Sequence, residues 1–337
     1  MADMYEFNLQ SSSLELAGEI IQLPDGFDFS QTNLFSSFLV AKDPSVRDPK
    51  KYAHIFENAM LHPKVSIWMK FACWAERING LRRTKGADMP ALASDLNELV
   101  KQASEYLPNG NDKYTLLGTS FYNMGIIRRG LRQYWEAAKD QRHASAWYKL
   151  AGNTEKQLIS LFVARVEETT AAFVAGDVDG IKQSIRAMIA SRDRIANVVK
   201  PYPVWMKQNA SIHIAWAASM AFLGFGLTIV GLSEDDGPGE DHFRNWRDHS
   251  PAQWAKAAHA VELYYADKFS EVVGQNAVDI QSSSADNAGL TVKIFVALAH
   301  RELGKKAKAK KILTEVMNHA GPDGGIPIAV ATRLLAK

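Results

Sequence analysis

The chain of 337 residues carries 39 Lys+Arg against 37 Asp+Glu, a formal net charge of +2, with 47% hydrophobic and 23% charged residues. Apolar content on that scale offsets the entropy of ordering and excludes a disordered chain, and a single cysteine, Cys73, excludes an internal disulfide framework. A balance so near zero argues against a polyanion binder charged over its whole surface, while leaving room for local basic faces.

The first residues, MADMYEFNLQSSS, have no basic start, apolar stretch or small-residue cleavage site. No secretory signal is expected, and with one Cys a cytoplasmic setting is expected. Residues 1–49 are punctuated by Ser11-Ser12-Ser13, Pro24-Asp25-Gly26, Pro44 and Pro49, which predicts an N-terminal arm or cap of short helices or extended pieces. A helical body is expected over 50–232, an acidic linker or loop over 233–250 and a C-terminal helical part over 251–337.

In the body, apolar spacings of three and four predict helices at 50–61, 64–81 and from Met89-Pro90 to the stop at Leu107-Pro108-Asn109-Gly110. Further helices are predicted at 113–129, 133–151, 154–175, 178–199 and from 204 to 222 or beyond. Gly130, Gly152-Asn153, Gly176-Asp177 and Pro201-Tyr202-Pro203 separate them. Residues 209–233 contain no Asp, Glu, Lys or Arg and are long enough to cross a bilayer. His213 and the Ala and Ser residues of the first half favour a buried central helix instead, so a membrane contact is expected only if this segment spans. Beyond the linker, helices are predicted at 251–274, 286–303, 305–320 and 327–336. No β-branched run alternates over six residues between turn signals, and the expected class is all-α: antiparallel helix pairs stacked as a short solenoid or a two-lobed helical protein.

Within 114–151, Tyr114-x2-Leu117-Gly118-x2-Phe121 has the large-x2-Leu-Gly-x2-aromatic opening of a tetratricopeptide repeat, and Phe121-x2-Met124-Gly125 repeats most of it seven residues later. In the second frame Tyr134, Ala137 and Ala144 supply an aromatic and two small residues, with Arg128 where an aromatic belongs. The segment therefore resembles the tetratricopeptide-like helical-repeat superfamily, with a weaker likeness at 290–320. The resemblance implies a surface that binds a protein or peptide and no catalysis.

Non-catalytic protein–protein recognition, of an adaptor, chaperone-like or immunity kind, is the function expected. Arg128, Arg132, Trp135, Trp147 and Tyr148, together with Trp246 in the linker, are the expected partner contacts, because Trp, Tyr and Arg dominate interface energetics. Nucleocapsid-like binding of single-stranded RNA through basic and aromatic patches is the first alternative. It rests on basic clusters at Arg77, Arg82, Arg83 and Lys85, at Arg128, Arg129 and Arg132, and at Lys305, Lys306, Lys308, Lys310 and Lys311, the first two with aromatics nearby. The second alternative comes from Arg244-Asn245-x3-His249, which resembles the signature of HEPN ribonucleases. That resemblance implies metal-independent RNA cleavage, with His249 in acid–base work and Arg244 on the scissile phosphate.

No cofactor is expected, since no Gly-rich loop follows a strand. Asp241-His242 and Asp248-His249 lack the helix-borne spacing of a metal site, and no metal is expected. The histidines of His54-x2-Glu57, His259-x2-Glu262 and His300-x-Glu302 read as solvated or half-buried side chains, and Cys73, between Ala72 and Trp74, as core.

Overall fold

The computed structural model describes residues 6–8, 13–16, 19–22, 48–61, 67–84, 86–198, 252–274, 287–319 and 325–336. The helix predicted at 204–222, the apolar segment 209–233 and the acidic linker lie outside them.

The described body is all-α. Its helices are α1 (Pro49–Leu61), α2 (Ile67–Leu81), α3 (Met89–Tyr106), α4 (Asn111–Gly130), α5 (Tyr134–Leu150), α6 (Thr154–Ala175) and α7 (Val178–Val198), then α8 (Ala252–Tyr265), α9 (Asn287–Glu302), α10 (Lys306–Met317) and α11 (Gly325–Ala336). Among the described residues, strand is confined to the N-terminal stretch, where β1 (Glu6–Asn8), β2 (Ser13–Leu16) and β3 (Glu19–Gln22) form an antiparallel meander. Its register pairs Phe7 with Leu14 and Leu14 with Ile21. Extended pieces, one of the two forms expected there, are what these residues adopt.

The helices stop where the backbone turns left-handed. Gly152, Gly176 and Gly304 have φ of 69°, 70° and 74°. The residue after each closes the helix end: Asn153 donates to the Tyr148 carbonyl, Asp177 to Ala172 and Lys305 to His300. These are the closing bonds of a Schellman turn, and glycine adopts the conformation without a Cβ penalty. The predicted single helix at 251–274 breaks in the same way at Asp267 (φ 57°), with Lys268 donating to the Leu263 carbonyl, before a helical stretch at 269–274. Aspartate tolerates this region, so no glycine marks the break. The starts are capped by side chains. Asp48 accepts from the Lys50 amide at 2.8 Å ahead of α1, Asp88 from Ala91 at 3.0 Å ahead of α3, and Asp177 from Gly180 at 3.0 Å ahead of α7.

The chain divides into two units, residues 1–131 with 143–154 and residues 132–142 with 155–337. In the first, α2, α3 and α4 pack around Phe71, Ile78, Leu96, Leu99, Leu117 and Met124. Burying a side chain of this size stabilises by about 1.5–3 kcal/mol. Close approach of α1 and α2 depends on Gly80, where a Cβ would sit 3.0 Å from the Ala53 Cβ and 3.1 Å from its Cα. Lys113 closes the end of α3: its buried ammonium donates to the carbonyls of Ser104 (2.7 Å) and Leu107 (2.9 Å) and to Asn109 Oδ1 (3.2 Å). A cation is favoured at a helix C-terminus, and three acceptors offset its desolvation. In the second unit α9 is apolar nearly all round and is packed by α8, α10 and α11, with Phe295 against the Tyr264 ring at 5.5 Å. Among the described residues, no helix is long and apolar enough to cross a membrane.

Candidate functional site

The expected partner contacts separate by burial. Trp135 stands on α5 with 54% of its surface exposed. Lys139 and Arg142 follow it at helical spacings of four and three, so all three share one exposed stripe. The Arg142 guanidinium is anchored by Glu168 of α6, which also accepts from Arg165 at 2.8 Å. Arg132, in the turn ahead of α5, is exposed and holds a left-handed φ of 61°. These residues belong to the second unit.

Tyr148, Trp147 and Arg128, also expected as contacts, lie in the first unit. Tyr148, expected on a binding surface, is 4% exposed and packs in the core with its hydroxyl 3.0 Å from that of Thr119. Burial pushes its phenol above the ordinary tyrosine range. Trp147 is half-buried, stacked on Tyr114 with ring centroids 5.8 Å apart. Arg128 is half-buried in the last turn of α4. Trp246, and the Arg244 and His249 of the ribonuclease signature, lie outside the described residues, as do both Asp-His pairs of the linker.

The first unit also brings polar groups together that sequence spacing does not connect. Glu76 of α2 is buried, and its Oε2 accepts from the Tyr52 hydroxyl at 2.6 Å and the Asn79 amide at 3.1 Å. Beside it lies a cavity of about 50 Å³, lined by Trp68, Ala72, Ala75 and Glu76 of α2 and Thr115, Leu116 and Thr119 of α4. That space fits one or two waters, and Trp68 Nε1, buried without a hydrogen-bond partner among the described residues, needs an acceptor there. The signal available in sequence was a single acidic residue on the apolar face of α2.

The basic clusters have different fates. Arg77 is neutralised by Glu57 at 3.4 Å and Asp95 at 2.9 Å, and Asp95 also accepts from Trp74 Nε1 at 2.8 Å. Lys306, Lys308, Lys310 and Lys311 coat the outer face of α10, whose inner face is Ala309, Ile312, Leu313 and Val316. Arg82 and Arg83 follow the end of α2, and Arg128 and Arg129 end α4. Burial, then the fields of Arg83 and Arg129, pull the Arg82 guanidinium down to about 10, against a smaller upward pull from Tyr122 and Glu76.

Cys73 is buried and its thiol is pushed up to about 12 by burial and then by the charge of Glu76, so it is core and not a nucleophile at neutral pH. His54 is exposed, 3.7 Å from Glu57, and His259 half-buried, 3.4 Å from Glu262. His300 departs from expectation: it is 2% exposed, because it sits in the run from Ile294 to His300 of α9 that is buried on every face. No group of three or more metal-ligating side chains occurs among the described residues. No protein-family model, curated protein or solved structure matches the chain.

Proposed function

We propose that the chain is a tetratricopeptide-like helical scaffold that recognises another protein through the start of α5, with Trp135 as the anchor. The observation that carries this reading is the exposure of Trp135. Most other aromatics on the described helices are buried or half-buried, whereas this indole stands in a stripe with Lys139 and Arg142. An exposed Trp beside arginine is the composition of an interface hot spot, and truncating such a residue costs at least about 2 kcal/mol of binding. The repeat resemblance is supported by Gly125, Ala137 and Ala144, the small residues of its second frame, all of which are buried. The flanking cations suit a partner that presents a carboxylate next to an apolar pocket.

The test replaces Trp135 with a photocrosslinking phenylalanine analogue and compares capture from native lysate with a Trp135→Ala pull-down. A protein that crosslinks at position 135 and is lost from Trp135→Ala supports the reading. A captured set unchanged by Trp135→Ala, with no crosslink at 135, overturns it.

A further inference from the structure

The ends of α2 and α4 meet. Trp74 and Arg77 of α2 reach Asp95 of α3, and Lys113 of α4 reaches Ser104 and Leu107 at the end of α3. Each successive pair is therefore antiparallel, so α2 and α4 run parallel, and they pack on each other. Two basic dipeptides, Arg82-Arg83 and Arg128-Arg129, come to the same end of the first unit although about 46 positions separate them in sequence.

We propose that Arg82, Arg83 and Arg129 form a binding site for a phosphate group, carried as a free or monoester phosphate.

Arg82 is the centre of the argument. Among the described residues its buried Nε has no hydrogen-bond partner and no carboxylate pairs with its guanidinium. The residue as a whole is half-buried, and a buried donor of a cation left unsatisfied is costly, so native proteins pair such groups or bring them a ligand. The acid whose field reaches it, Glu76, already accepts the Tyr52 hydroxyl and the Asn79 amide. Arg83 is held in place: its Nε donates to the Asn79 carbonyl at 3.1 Å and its guanidinium lies 4.7 Å from the Tyr52 ring centroid. Being exposed, it gives the cluster an open side. Guanidinium forks match phosphate oxygens bidentately, and a fixed fork loses little entropy on binding.

The two helix C-termini each contribute about half a negative charge there. The guanidiniums of Arg82, Arg83 and Arg129 stand against that partial charge, and their mutual repulsion, seen in the lowered Arg82 pKa, is relieved by an anion between them. A compact dianion suits the arrangement better than a nucleic-acid backbone, which needs a track of cations along the strand. Arg77 does not extend the cluster, because Glu57 and Asp95 neutralise it.

Isothermal titration of inorganic phosphate at low ionic strength tests the site in the full chain, in Arg82→Gln, in Arg129→Gln and in the control Lys310→Gln. The expected result is one phosphate bound by the unaltered chain and by the control, with affinity about tenfold or more lower in each arginine variant, the loss of one charge-assisted contact. Phenylglyoxal modification of the unaltered chain, mapped by peptide mass, gives a second reading independent of variant folding: phosphate slows modification at Arg83 and Arg129. No phosphate uptake by the unaltered chain, equal affinity in the arginine variants, or binding of a short oligouridylate without binding of phosphate overturns the proposal.

Discussion

Tyr148 lies directly across Gly118: a Cβ at position 118 would be 2.9 Å from both Cδ1 and Cε1 of the ring. The pair shows what the small residue of the repeat-like opening does. It lets an aromatic of α5 settle on the backbone of α4, and the Thr119 hydroxyl, 3.0 Å from the tyrosine oxygen, fixes the ring there. Gly118→Ala forces the ring or a helix to move in a close-packed core, at a cost of about 1–3 kcal/mol. Adding Tyr148→Leu should recover part of that loss. A double-mutant cycle by urea unfolding measures the coupling, and strict additivity would mean that the ring does not resist the new methyl.

Lys113→Met should destabilise by about 2–3 kcal/mol, because the three acceptors at the end of α3 lose their donor in a place water does not replace it. The midpoint of urea unfolding should fall with an unchanged slope, since the native compactness is untouched. An unaltered midpoint would show that solvent satisfies these oxygens without the lysine.

The helices are readable because apolar spacing and glycine or proline punctuation agree over most of the described residues. Leu107-Pro108-Asn109-Gly110 does end α3, and Gly152 and Gly176 mark real left-handed stops. Asp267 makes the same turn as those glycines and carries no comparable signal, so apolar spacing alone predicts a single helix across it. Side chains whose role depends on a distant segment were less legible. Trp147 and Tyr148 are adjacent aromatics in sequence, yet one stacks on Tyr114 and the other is sunk against Gly118. Lys113 looks like an ordinary surface lysine until the chain folds back on α3. The convergence of Arg82 with Arg129 follows only from the parallel placement of α2 and α4.

His300 makes the second unit sensitive to acid. Burial, then the nearby charges of Lys308 and Lys305, lower its pKa from the ordinary 6.5. The sign follows from linkage: below about pH 6.5 the unfolded chain binds a proton that the folded chain refuses, so stability falls as pH falls towards the folded-state value. The slope from this one group is at most about 1.4 kcal/mol per pH unit. Replacing His300→Leu should flatten the stability profile in that window while leaving it unchanged above pH 7. Identical slopes for the two chains below pH 6.5 would show that the buried imidazole accepts its proton in the folded state.

Cys73 offers a matching report on the first unit. Its thiol, pushed up to about 12 by burial and then by Glu76, is almost wholly protonated at pH 8 and shielded by the core. Reaction with a disulfide reagent needs a thiolate and a path to it, and native Cys73 has neither. Labelling should therefore proceed through opening of the unit, slower than in the unfolded chain by at least about a thousandfold, and should accelerate as urea raises the open population. Glu76→Gln separates the two causes. Removing the carboxylate charge takes away the smaller contribution and also neutralises the acceptor for Tyr52, yet burial persists, so labelling should stay slow in native buffer. Rapid labelling of Glu76→Gln, with secondary structure retained, would mean that the Glu76 network and not the apolar packing keeps the α2 core closed.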